Sequence, residues 1–401
     1  MRPGVQRVMK TRSISRENLA ALVADLVKGG TDVVAPARAS DGKVDYRRVA
    51  KFDEITMNGG MPRRSLKEFF LPPTEALFSW KQKQADITLE PVPTTFGPAV
   101  VLGARPCDTA GVVVLDKVMG WDFRDELWFG RREATTIVSL ACSGVDDSCF
   151  CRVVGLSPET EKGADLVLYP ADGGFLAQPV TEKGEALISA HSARFVDAPA
   201  GDPGKATAGK EKKATAAAAA PATPGGAKSE TVLPAGAKAG TAIPAGATAA
   251  PASVGTGGIG GPVDLGSVHD WLADHFEHPL WEAIAFRCHG CGACASVCPT
   301  CHCFDIVDEP EGVTEGTRRR NWDTCQEGRF TLHASGHNPR AQQNARFRQR
   351  VMHKFYIYPE KFGETLCTGC GRCVRDCPGG MDLPEIVAKI AALATKDSVR
   401  S

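Results

Sequence analysis

Near the C-terminal end of the chain, Cys288, Cys291, Cys294, Cys298 and Pro299 have the same spacing as Cys367, Cys370, Cys373, Cys377 and Pro378. Two copies of C-x2-C-x2-C-x3-C-P supply the thiolates for a pair of 4Fe-4S cubanes, the fourth cysteine of each run completing the other cluster. That rule assigns Cys288, Cys291, Cys294 and Cys377 to one cubane, and Cys367, Cys370, Cys373 and Cys298 to the other. Each cubane iron has one open coordination position, so a short loop can deliver three thiolates from residues three apart while its backbone amides face the sulfurs. Small residues bring such loops close: Gly290, Gly292, Ala293 and Ala295 in the first run, Gly369 and Gly371 in the second. The proline after each fourth cysteine fixes φ and turns the chain away. A zinc ribbon is the competing reading, but zinc takes four ligands and would leave half of these thiols idle. The pattern predicts a protein that handles single electrons.

Fifteen cysteines in 401 residues are an odd number and too sparse for a secreted disulfide framework. Lys plus Arg equals Asp plus Glu at 47 each, so net charge gives no reason to expect nucleic acid as a partner. No apolar run predicts insertion into a membrane. Met1 to Arg16 carry positive charge with no apolar segment behind them, which predicts no secretory signal. Cytoplasm is the expected compartment.

The expected fold class is α+β in three parts: an α/β domain (1–198), a disordered linker (199–262) and a C-terminal helical domain with a two-cluster ferredoxin-type module (263–401). The linker is Ala, Gly, Pro, Thr and Lys with almost no large apolar side chain, too little to offset its ordering entropy. Leu233 and Ile243 begin two similar decapeptides within it, an imperfect repeat, and Gly255, Gly257 and Gly260 satisfy GxGxxG. No strand precedes those glycines, so they predict no dinucleotide site.

In the first part, Ser15 is placed to cap a helix with Leu19, Leu22, Val23 and Leu26 on one face, ended by Gly29 and Gly30. Ala99 to Leu102 and Thr136 to Leu140 read as buried strands, Ala110 to Met119 as a crossover helix or a further buried strand, and Asp165 to Tyr169 and Gly174 to Val180 as more strands. The first buried strand runs into Cys107, and the second into Cys142, Cys149 and Cys151. If the two are parallel neighbours, all four thiols meet at the carboxyl edge of one sheet, where open α/β sheets place ligands. They are a candidate third 4Fe-4S site, against the alternative of inert cysteines acting as small apolar side chains.

After the linker, Val268, Trp271, Leu272, Phe276, Trp281 and Ile284 have roughly helical spacing and are expected to pack over the first cluster loop. Cys301, Cys303 and Cys325 stand outside the runs. With His302 they could hold zinc or another cluster, or simply pack. Arg318, Arg319, Arg320, Arg340, Arg346, Arg348, Arg350, His353, Lys354 and Lys361 lie between the runs. Such charge is either a solvated face or a set of cations that offset cluster charge and steer an acidic partner.

These residues give the chain a resemblance to the iron-sulfur beta subunits of cytoplasmic nickel-iron hydrogenases of the sulfhydrogenase type, and to the closely similar iron-sulfur subunit of anaerobic sulfite reductase. The similar segments are SerLeuLysGluPhePheLeuPro at Ser65, GlyAlaArgProCysAsp at Gly103, CysPheCys at Cys149, CysProThrCysHisCysPheAsp at Cys298, ArgAsnTrpAspThrCys at Arg320, GlyHisAsnProArg at Gly336, ArgPheArgGlnArg at Arg346 and CysThrGlyCysGlyArgCys at Cys367. The resemblance implies a protein without a substrate site of its own. It would relay electrons between a flavin- and NAD(P)-binding diaphorase-type subunit, or ferredoxin, and a separate catalytic oxidoreductase subunit. Two other readings stay open: an adaptor in a heterodisulfide reductase-like, formate dehydrogenase or methylenetetrahydrofolate reductase complex, and a redox-sensing cluster scaffold. The long Ala/Pro linker departs from that resemblance.

Overall fold

The computed structural model of the chain describes residues 9–57, 60–142, 148–198 and 263–398. The predicted linker, with its decapeptides and its GxGxxG, lies outside them.

The chain begins with β1 (Arg12–Ser15) and α1 (Arg16–Lys28), the latter capped by Ser15, whose hydroxyl accepts the Asn18 N–H. Leu19, Leu22, Val23 and Leu26 are buried, each contributing about 1.5–3 kcal/mol, and Gly29 and Gly30 close the helix as expected. Then follow β2 (Asp32–Arg38), β3 (Val44–Arg48), α2 (Lys67–Phe70), β4 (Thr74–Lys83), β5 (Asp86–Pro91), β6 (Ala99–Ala104), α3 (Pro106–Met119), α4 (Glu126–Ala134) and β7 (Thr135–Leu140). β8 (Leu166–Ala171), β9 (Gly174–Pro179), α5 (Glu182–Ala190) and β10 (Val196–Asp197) complete the first half. An eight-stranded sheet has the order β10-β1-β9-β8-β7-β6-β2-β3, with β2, β6, β7 and β8 parallel. These central strands are apolar throughout because both faces are covered. α1 packs on one side, while Val112, Leu115 and Trp128 of α3 and α4 pack on the other. The segment Ala110 to Met119 is thus helical, part of α3.

After residue 263, helices Leu265–Asp274, Leu280–Ala285, Gln343–Met352 and Leu383–Ser398 enclose a second core around Trp271, Trp281, Phe347, Val351 and Ile386. Cys288, Cys367, Cys373 and Cys377 pack against this core. Phe276 is left largely exposed under the Arg348 guanidinium. A hairpin, β11 (Phe304–Pro310) and β12 (Glu315–Trp322), joins β4 and β5 in an antiparallel sheet of order β11-β12-β4-β5. Register runs from Asn321 opposite Thr74 to Glu315 opposite Lys81, so the two halves of the chain share this sheet. Most of β11 is exposed, which is why its sequence lacks the alternation of a half-buried strand.

Candidate metal centres

β6 and β7 are parallel neighbours, and both deliver cysteines at their carboxyl ends. Cys107 opens α3 and Cys142 follows β7, while Cys149 and Cys151 lie on the loop beyond it. All four line one cavity, and Cys370 contributes to its wall.

The duplicated runs adopt near-identical turns. Gly292 and Gly371 sit at φ/ψ of 75/−5° and 73/−5°, each starting a one-turn helix, Ala293–Ser296 and Arg372–Arg375. One cavity is lined by Cys288, Cys291, Cys294 and Cys377 with Cys373 beside them; another by Cys298, Cys367, Cys370 and Cys373. The three cavities therefore form a row. Cys370 is common to the N-terminal and central ones, and Cys373 to the central and outer ones. Cys291 is exposed at the outer end, whereas Cys298 and Cys370 are buried in the middle.

The second glycine pair serves a purpose beyond loop compactness. A Cβ on Gly371 would lie 2.3 Å from the Ser148 carbonyl oxygen, and one on Gly369 2.5 Å from the Cys151 backbone. The Phe150 N–H donates to the Gly369 carbonyl at 2.8 Å. The Cys149 to Cys151 loop thus docks directly on the second run. Beside it Arg372, fully buried, donates both Nη atoms to Asp108 at 2.8 and 2.7 Å and its Nε to the Pro62 carbonyl. Asp108 also accepts the Tyr46 hydroxyl at 2.8 Å. This ion pair locks the two halves together between Cys107 and Cys370.

The donor set suits negatively charged clusters. Buried cations ordinarily need a counter-charge. Arg350 and Lys354 are buried, and among the described residues neither has a carboxylate partner. Arg350 Nη1 lies 3.5 Å from Cys301 Sγ and Lys354 Nζ 3.5 Å from Cys298 Sγ. A π-helical turn, His353–Ile357, carries Lys354 inward, an irregularity common at functional sites. Sulfur-directed donors are in place: Gln343 Nε2 to Cys288 Sγ at 3.2 Å, the Met381 N–H to Cys377 Sγ at 3.2 Å, and the Gly369 N–H to Cys367 Sγ at 3.5 Å. The buried Thr368 hydroxyl lines the central cavity and has no hydrogen-bond partner among the described residues. Burial pushes the Cys367 thiol up to about 11 and the Cys373 thiol up to about 12, so thiolates at these two positions need a metal or a cation. Among the described residues no three His, Cys, Asp or Glu side chains converge on a single ion. The thiols line walls, as a cluster of several atoms requires.

The run of cations divides. Arg318 and Arg319 pair across the hairpin with Asp308 and Glu309, and Arg320 is buried against Glu75 and Asp125. Burial holds His302 near 4 and His353 near 3, so both are neutral at pH 7. The sequence alone shows Arg350 and Lys354 only as members of a charge run, and it does not single out Lys67, Asp108, Gln343 or Arg372. Lys67 and Asp108 lie in the SerLeuLys and ProCysAsp segments, and Arg372 lies inside the second run, but their partners are remote in sequence.

Residues 287–381 match the family described as "4Fe-4S dicluster domain". The sulfhydrogenase 2 subunit beta of Pyrococcus furiosus is 27% identical over 346 residues, 86% of this chain and 88% of that protein. No solved structure matches significantly. Among the described residues no helix is long and apolar enough to cross a membrane. The resemblance read from the sequence is borne out: the chain carries a 4Fe-4S dicluster domain, and over most of its length it is similar to a sulfhydrogenase beta subunit.

Proposed function

We propose that the chain is an iron-sulfur electron-transfer subunit of a hydrogenase-type complex. It would relay electrons between a flavin- and NAD(P)-binding diaphorase-type subunit, or ferredoxin, and a separate catalytic subunit such as a nickel-iron hydrogenase or sulfite reductase. The row of three cysteine-lined cavities, each sharing a cysteine wall with the next, carries this reading. Cys288, Cys291, Cys294 and Cys377 would hold the outer cubane, Cys298, Cys367, Cys370 and Cys373 the central one, and Cys107, Cys142, Cys149 and Cys151 a third. When bound, the clusters supply one-electron redox steps. The chain's own residues orient the thiolates, exclude water and offset charge through Arg350 and Lys354.

The test is iron and acid-labile sulfide analysis of anaerobically purified full-length protein, with a potentiometric titration followed by electron paramagnetic resonance. About twelve irons, as three cubanes require, is the expected result. About eight would remove the N-terminal site, and zinc without sulfide would end the reading. Purifying the native complex would identify the donor and acceptor subunits.

A further inference from the structure

Six cationic side chains are buried among the described residues: Lys67, Arg105, Arg320, Arg350, Lys354 and Arg372. Arg320 and Arg372 pair with carboxylates. Among the described residues the other four do not, and three of them meet the cysteine segments of the C-terminal half. Arg350 and Lys354 reach sulfur, and Lys67 donates to the Cys301 carbonyl at 2.9 Å. Arg105 belongs to the N-terminal half and is 7% exposed.

Backbone on two sides fixes its place. Arg105 stands between β6 and α3, so Pro106 and Cys107, both in the wall of the N-terminal cavity, follow it directly. Its N–H donates to the Tyr46 hydroxyl at 2.9 Å and its Nη2 to the Gly60 carbonyl at 2.6 Å. Met61, the residue after Gly60, lines the same cavity. The guanidinium is thus tethered behind the wall that Met61 and Pro106 form. Its Nε is buried and has no hydrogen-bond partner among the described residues. Asp108, the nearest carboxylate in sequence, is already occupied: both its oxygens accept from Arg372, and one also accepts from Tyr46. Two buried guanidiniums therefore share one buried carboxylate, and a buried charge needs a counter-charge. Neutral thiols cannot supply it, whereas thiolates bound to a cluster can. Burial raises the Cys142 thiol, and the charge of Arg105 acts against that rise.

We propose that Arg105 is the counter-charge of a cluster in the N-terminal cavity and raises that cluster's potential. This assignment rests on the reading of Cys107, Cys142, Cys149 and Cys151 as a third cubane site. When one electron leaves the central site and enters the N-terminal one, the latter becomes more negative by one unit, the state that Arg105 stabilises most. No proton moves, because a guanidinium stays charged at any working pH.

Anaerobic full-length protein is titrated potentiometrically and followed by electron paramagnetic resonance, the N-terminal signal being the one missing from Cys142→Ser. Arg105→Gln keeps a donor for the Gly60 carbonyl and removes the charge. It should disfavour reduction of the N-terminal cluster about tenfold, a downward shift of about 59 mV for one electron, and leave the outer cluster unmoved. Arg105→Lys, which keeps the charge, should stay close to wild type. If Arg105→Gln instead loses about four irons, one cubane's complement, the proposal requires Arg105→Lys to retain them. A lysine variant that loses the site as the glutamine variant does overturns it, as does an N-terminal potential that Arg105→Gln leaves unchanged. Iron content of the wild type separates the two readings. About eight irons overturns the third site and this assignment together, whereas about twelve with an unmoved potential overturns only the assignment.

Discussion

In the C-terminal module, three thiols of each set come from a single short loop, and a fourth crosses over from the other run. In the N-terminal module, four thiols are gathered from the ends of two parallel strands and a later turn, and Cys370 of the other module walls their cavity. The first arrangement depends on local backbone geometry, repeated at Gly292 and Gly371. The second depends on tertiary structure, including docking of the Cys149 to Cys151 loop onto the second run. The outer site should therefore tolerate damage to the N-terminal half better than the N-terminal site tolerates damage to the second run.

Loss of a whole cluster is the largest effect expected. Cys142→Ser should remove about four irons, one cubane's complement, and leave the dicluster signals intact. Cys377→Ser should disturb the cubane proposed for Cys288, Cys291 and Cys294 and spare the one proposed for its sequence neighbours. Spectra in which Cys377→Ser alters only the Cys367 cluster would refute the crossover. Next in size is the joint between the halves. Asp108→Ala leaves the Arg372 guanidinium buried and uncompensated, a cost of about 3–5 kcal/mol, readable in denaturant unfolding. Adding Arg372→Leu should recover much of that loss, because a buried apolar pair often matches a buried ion pair. A double variant as unstable as the single one would mean that the charge balance is not what joins the halves.

How much of this was legible follows the same division. The duplicated runs could be read directly because their ligand geometry is a matter of spacing. The strands β6 and β7 were legible from uninterrupted apolar runs, but their parallel adjacency, on which the gathering of Cys107, Cys142, Cys149 and Cys151 at one edge depends, is a tertiary fact that the runs only allowed. The hairpin β11–β12 was not legible, because its arginines find partners at Glu75, Asp125, Asp308 and Glu309, two of them in the other half of the chain. A charge run looks the same in sequence whether its partners are water, carboxylates or thiols. Arg318, Arg320 and Arg350 each meet a different fate, decided by tertiary contacts between segments far apart in the chain.

That contrast among cations gives the smaller predictions. Lys354, buried among Cys298, Cys301 and Cys367 with no carboxylate partner among the described residues, would stabilise whichever state of the proposed central cluster is more negative. Removing a unit charge at this range, with an effective dielectric of about 20, is worth a few kcal/mol, so Lys354→Met should lower the central cluster's potential by on the order of 100 mV. Gln at the same position should do likewise, which separates charge from packing. Arg318 is the opposite case. Its bidentate pair with Asp308, at 2.7 Å on both contacts, lies at the surface, where water and salt screen it. Arg318→Gln should leave the melting temperature and all cluster potentials unchanged, and should leave association with the other subunits of the complex unchanged at both low and high salt. A salt-dependent loss of binding in this variant alone would restore the hairpin's arginines as a steering surface, since long-range attraction weakens as the screening length shortens.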